Sequence, residues 1–205
     1  NPIDYFATGA GAKMITIPQL TAHALGSFLA QETKDLFGAS PSGLTELLPF
    51  AARLTLECIG NSDALYHNIE HTMLVTLVGH DILVGRALQR TTTVSDYSNF
   101  ILACLSHDIG YVRGVVQGDE DDAYVADISG RKIKLPVGSS DAALAPYNVD
   151  RSKLFVIERF DSNEEVDAAR LARAIESTRF TYVDTPTVDA DDLNEEAGSL
   201  LREAV

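Results

Sequence analysis

The sequence is short of positive charge, of cysteine and of long apolar runs, and each shortage closes off a class of protein. Its 205 residues carry 16 Lys+Arg against 30 Asp+Glu, a formal net charge of −14. The sequence pI is about 4.6. Such a surface repels phosphate backbones, so general DNA or RNA binding is not expected. A small anionic substrate stays compatible if a metal ion or local arginines reverse the field at one site. No apolar stretch approaches the roughly 18 residues of a transmembrane helix, and no basic, apolar, small-residue leader opens the chain. A membrane-spanning role is not expected, and the cytoplasm is the expected compartment. The two cysteines, Cys58 and Cys104, lie in the apolar stretches LTLECIG and ILACLSHD. Two buried free thiols in a reducing compartment is the simplest reading. There is no internal repeat and no low-complexity segment.

What is present is the composition of a folded domain. Apolar residues make up 45% and charged residues 22%, and the mean hydropathy is +0.01. The length suits one domain with a sizeable core. Residues 1–15 are glycine-rich and weakly patterned and read as a loose arm, leaving 16–205 as the domain. A first helix is expected from Pro18 to Gly38, with Leu25, Phe28, Leu29, Leu36 and Phe37 on one stripe. A second runs from about Ser42 to Gly60, with Pro49 expected to bend or interrupt it. A third covers about Asn68 to Gln89. A fourth starts at Ser95-Asp96 and runs to the Gly110 region. Around Ser129-Gly130, two short alternating segments predict a β-hairpin in an insertion near 119–149. Helices are expected again at about 150–160, 163–178 and 189–205. The fold class is all-α, a helical bundle with one small hairpin or loop insertion.

Four of the five histidines fall between positions 67 and 107. His67 and His71 are four apart and are expected on one helix face, one turn from each other, where they could share a metal ion. Alternatively, one binds metal while the other handles a proton. Two His-Asp pairs compete to complete such a site. His80 lies nine residues beyond His71, and nine steps of about 100° place it roughly opposite on the same helix. His107-Asp108 comes from the next helix and is followed at once by Ile109-Gly110, a helix end. Adjacent side chains can converge there because the backbone need not stay helical. His107-Asp108 is therefore the expected partner, with His80 a packed or surface histidine.

Tyr66-His67-Asn68-x-x-His71, followed by His107-Asp108, resembles the HD-domain metal-dependent phosphohydrolase superfamily. The YHNxxH form is most similar to the catalytic domains of cyclic-nucleotide phosphodiesterases. The similarity covers about 66–110 specifically and the helical remainder only in outline. It implies that His71, His107 and Asp108 are metal ligands and that His67 protonates the leaving oxygen. It also implies that Asp108 bridges to a second ion where two are bound. The sequence departs from the pattern in two places. Those phosphodiesterases continue the HD pair as HDxxH, and here the last position is Tyr111. Their final ligand is an aspartate on a later helix. Asp184, Asp189, Asp191 and Asp192 stand in a proline-containing loop and a helix start, so the expected fourth ligand lies beyond Val205. The amphipathic stripe Leu193, Ala197, Leu200, Leu201 and Val205 carries no stop signal, which agrees with a shortened C-terminus. The purine clamp of those enzymes, a glutamine with an aromatic residue, is not found, so their substrate is not carried over.

The expected function is hydrolysis of a small phosphate ester, nucleotides included, by metal-activated water. His and Asp ligands suit Mn, Fe, Zn, Ni or Co better than Mg alone, with one or two ions present. His67 is the expected general acid. Asn68 and Arg113 are the expected substrate contacts, a surface salt bridge being the other reading of Arg113. Glu70 either orients a ligand from behind or sits exposed on its helix. Arg131, Lys132 and Lys134 form either a solvated hairpin or a lid that touches phosphate. A ligand-sensing or partner-binding module that has lost turnover is the alternative function, and self-association stays open. An oxygenase with two irons would need further histidines.

Overall fold

Side chains able to accept from the first backbone N–H groups of a helix fix where most of the helices begin. The computed structural model describes residues 15–38, 43–179 and 193–205. Nearly all of the expected N-terminal arm, and Asp184, Asp189, Asp191 and Asp192, lie outside the described residues. α1 (Ile17–Phe37) starts at a Thr16–Gln19 capping box with Pro18 in its first turn and stops at Gly38. That glycine has φ 74°, a left-handed backbone that glycine adopts without strain. α2 (Leu44–Ile59) runs unbroken through Pro49, so the expected interruption is not seen. A Cβ on Gly26 would stand 3.0 Å from the Pro49 carbonyl oxygen, so this glycine lets α1 and α2 meet at the proline.

α3 (Ile69–Ala87) is capped by Asn68, and α4 (Val94–Ser106) by a Thr93–Asp96 capping box, slightly earlier than the sequence suggests. α4 is the centre of the bundle. Every residue from Tyr97 to Ser106 is buried, because α2, α3, α6 and α7 all pack around it. After α4 the chain forms a 3₁₀ turn at Ile109–Tyr111, a two-stranded hairpin and a second 3₁₀ segment at Asp141–Tyr147. In the hairpin β1 (Ala123–Val125) pairs antiparallel with β2 (Lys132–Lys134), with Tyr124 opposite Ile133. α5 (Asn148–Phe160), α6 (Ala168–Glu176) and α7 (Leu193–Ala204) close the bundle.

Within the expected C-terminal stripe, Leu200 and Leu201 are buried while Val205 is 49% exposed. Gly198 has a packing role, since a Cβ there would come within 2.2 Å of Ser177 Oγ at the end of α6. No described helix is long and apolar enough to cross a membrane.

Candidate metal centre

The loop before α3 carries the first half of the site. Asn68 Oδ1 accepts from the His71 backbone N–H at 3.1 Å, and Asn68 Nδ2 donates to the Leu65 carbonyl at 2.8 Å. Both ends of the amide are thus engaged in starting the helix and closing the 65–68 turn. The helix begins after His67, so His67 and His71 do not share a helix face as the spacing suggested. The capped turn still brings their rings to 5.6 Å, nearly perpendicular.

The second half comes from the end of α4. His107 is the C-cap with helical angles, and Asp108 follows at φ −111°, ψ 6°. The turn out of the helix lets two adjacent side chains point to one place. Asp108 Oδ2 lies 2.6 Å from His67 Nδ1, 3.1 Å from His71 Nε2 and 3.1 Å from His107 Nε2. His71 Nε2 and His107 Nε2 are themselves 3.2 Å apart. His67, His71 and Asp108 each offer one ligand atom, all within 4.8 Å of one another. His107 is 1% exposed and Asp108 5%.

The chemistry of these donors fits a cation. His107 Nδ1 is 2.8 Å from the Cys104 carbonyl, which can only accept, so Nδ1 carries a proton. A neutral His107 in this tautomer turns its Nε2 lone pair toward His71 Nε2 and a carboxylate oxygen. Lone pairs repel, so atoms this close are held together only by shared protons or by a positive ion between them. With protons in that role, burial disfavours the charge on Asp108. His107 and the hydrogen bonds from His67 and His71 more than offset it, and the carboxyl stays well below its ordinary range. His107 is likewise opposed by burial, yet Asp108 beside it carries its pKa above the usual value.

Around this centre lie aromatic rings and an open cleft. Tyr111 stacks on His67 with centroids 4.1 Å apart and planes 15° from parallel. Its hydroxyl is pushed up to about 12 by burial and by the Asp108 charge. Tyr66 touches both His67 and His71 edge-on or tilted. A cleft of about 550 Å³ opens past His67 and Tyr111, lined also by Asp63, Leu65, Tyr66 and Ala142.

The structure therefore brings together His67, His71, His107 and Asp108. It sets Arg113 apart: its Nε lies 2.6 Å from Asp141 Oδ1, and Nη2 donates to the Ser139 carbonyl at 2.6 Å. The salt-bridge reading of Arg113 matches this geometry, although the partner Asp141 is itself buried rather than on the surface. His80 is buried elsewhere, its Nδ1 2.8 Å from the Tyr97 hydroxyl and its Nε2 3.4 Å from Glu32. In the hairpin, Arg131, Lys132 and Lys134 pair with Asp127, Glu120 and Asp122. These pairs match a solvated hairpin.

Three contributors have no signal in the sequence pattern. Asn148, read as loop before a helix at about 150, opens α5 and donates from Nδ2 to Asp108 Oδ1 at 2.9 Å. Arg151 is fully buried and spends all its donors on Asp119 and the carbonyls of Gly110, Val112 and Val125. Asp119, at the head of the acidic run 119–122, is the buried partner of that guanidinium. Together they fasten the segment after the His-Asp pair to α5.

No curated protein and no solved structure matches this chain. Residues 17–204 match a family described as Npun_R2479-like. The match spans nearly the whole length, and the chain belongs to the Npun_R2479-like family.

Proposed function

We propose that this protein is a metal-dependent phosphoric ester hydrolase of the HD-domain kind, acting on a small phosphate ester with nucleotides among the candidates. The observation that carries the reading is the convergence of three imidazole nitrogens on one oxygen of buried Asp108. The resemblance of YHNxxH and HD to metal-dependent phosphohydrolases supplies the reaction class. His71, His107 and Asp108 would hold the ion, and their mixed nitrogen and oxygen donors favour Mn, Fe, Zn, Ni or Co over Mg alone. Held by these residues, a divalent ion would lower the pKa of a bound water and screen the charge of a phosphate group.

The remaining steps belong to the chain. Asp108 accepts from His67 Nδ1 and holds the ring, while the stacked Tyr111 face limits its rotation. The opposite ring nitrogen is then the one that donates a proton to the departing oxygen. Leu65, Tyr66 and Ala142 line the cleft in which the organic part of the ester would sit.

One observation favours a second reading, a ligand-sensing module without turnover. No Lys or Arg is among the described residues lining the cleft, and Arg113 is bound to Asp141. Metal analysis of protein purified without chelator, then a phosphate-release screen over nucleotides and cyclic nucleotides, separates the two. Turnover that depends on the bound metal is the expected result. Bound metal with tight nucleotide binding and no turnover selects the sensor, and absence of metal removes both.

A further inference from the structure

The two oxygens of Asp108 face different chemistry. Oδ2 is surrounded by His67, His71 and His107 at 2.6–3.1 Å. Oδ1 accepts from Asn148 Nδ2 at 2.9 Å, between groups that are 5% and 6% exposed. A carboxylate that bridges two cations across a separation of about 3.5–4 Å gives one oxygen to each. Here the second oxygen already has a donor on it, with the positive end of an amide dipole where the second ion would stand.

That amide is held in place. Ser152 Oγ accepts from the Gly110 backbone N–H at 2.9 Å and donates onward to Asn148 Oδ1 at 3.3 Å. The chain of donors assigns the amide oxygen to Ser152 and the NH₂ to Asp108; a flipped amide would set oxygen against carboxylate. Packing closes the remaining freedom. A Cβ on Gly110 would meet the Asn148 carbonyl at 2.1 Å, so the turn and the start of α5 are already in contact. Arg151 Nε pins the Gly110 carbonyl at 2.7 Å. Asn148 and Ser152 on the Oδ1 side are neutral, and the charge of Arg151 is matched by Asp119. The described residues contain one cluster of three or more potential ligands, whose histidines face Oδ2.

We propose that the centre is mononuclear and that Asn148 is the positioning residue that keeps it so, by occupying the Asp108 oxygen a second cation would need. The proposal rests on reading the His-Asp cluster as a metal site, and it departs from the bridging role that the phosphodiesterase resemblance implies for Asp108. Asn148→Asp is the informative substitution. It keeps the side chain's shape, is compatible with the first turn of a helix, and replaces the blocking donor by a second carboxylate.

Chelator-stripped full chain is titrated with Mn²⁺ by calorimetry, and the loaded protein is examined by electron paramagnetic resonance. The wild type should bind one Mn²⁺ per chain and show the six-line signal of an isolated ion. Asn148→Asp should bind two and show an exchange-coupled signal, which scattered surface binding on an acidic protein cannot produce. Asn148→Ala should stay at one ion with about 10–100-fold weaker affinity, the usual effect of losing a group that orients a ligand. It carries the test if the aspartate variant does not fold without metal, as judged by circular dichroism. A coupled two-ion signal in the wild type overturns the proposal. So does a folded Asn148→Ala variant with unchanged affinity, or a wild type that binds no Mn²⁺. One bound ion without ester hydrolysis would end the hydrolase reading and leave this inference standing; hydrolysis with two coupled ions would do the reverse.

Discussion

The two ends of α4 use similar residues to opposite effect. At its start, the capping side chains meet complementary partners, although the buried Ser98 hydroxyl has none. Thr93 and Asp96 cap each other's backbone, Arg170 of α6 pairs with Asp96 at 3.0 Å, and Asn99 accepts from the Asp167 N–H. One turn in, the buried Tyr97 hydroxyl meets His80 at 2.8 Å. At the helix's end the complementarity gives way to crowding, with three imidazoles around a single carboxylate oxygen. Burial is the same at both ends: His80 is 6% exposed and His107 1%. What separates structure from chemistry is therefore whether the neighbours satisfy one another or converge with like donors on one point.

The comparison breaks most sharply at Asp108. Asp108→Ala removes the atom on which three histidines converge, and metal binding should fall below detection by calorimetry. Asp81→Ala changes the other His-Asp pair at an exposed position and should leave metal content at the wild-type level. Retained binding in the first variant would mean that the described cluster does not hold the ion.

The next effect separates acid from ligand inside the cluster. His67→Ala should lower turnover roughly 10²–10⁴-fold, the usual contribution of a general acid, while leaving most of the metal in place. His107→Ala should lose the metal itself. Equal metal loss in both variants would make His67 a ligand and leave the leaving group without its donor.

How much of this the sequence carries can be judged residue by residue. Helix positions are legible because capping side chains and apolar periodicity are local, and α1 and α3 fall close to where those signals put them. The choice of His107-Asp108 over His80-Asp81 is legible too, because a helix end frees adjacent side chains to converge. The exact place of His67 is not. The pattern permits a helix through it, and only the Asn68 cap, contacting Leu65 behind and His71 ahead, decides that the helix starts later. Arg113 is ambiguous in the sequence for a different reason: its partner Asp141 lies 28 residues on and arrives through the insertion. Asn148, Arg151 and Asp119 are hidden altogether. Their roles depend on α5 returning to the turn after Asp108, a long-range contact that no local pattern encodes.

A smaller effect tests the structural end. His80→Ala removes the partner of a hydroxyl on Tyr97, which is 1% exposed. The variant should lose about 1–3 kcal/mol of stability, the penalty for leaving one buried polar group unsatisfied. Denaturant titration reads this loss, and Mn²⁺ stoichiometry should not change. A drop in bound metal would show that the two ends of α4 are coupled.

The smallest effect concerns pH at the Asp96 cap. Burial opposes the charge on Asp96, and the hydrogen bonds from Thr93 together with Arg170 outweigh it, so its pKa in the folded protein is lowered. A carboxyl depressed in this way contributes stability that is fully present above its unfolded value of about 3.9 and is lost as pH falls through the folded value. Asn in its place can still accept from the backbone but has no charge for Arg170. Asp96→Asn should therefore melt below the wild type at pH 7, by an amount equivalent to roughly 0.5–1 kcal/mol. The gap should shrink steadily as the pH is taken below about 4. Only the difference between the two melting curves matters, because protonation of the other carboxylates acts on both proteins. A gap that stays constant down to pH 3 would mean that Asp96 contributes through shape and capping geometry rather than charge. The structural end of α4 would then owe nothing to the pairing with Arg170.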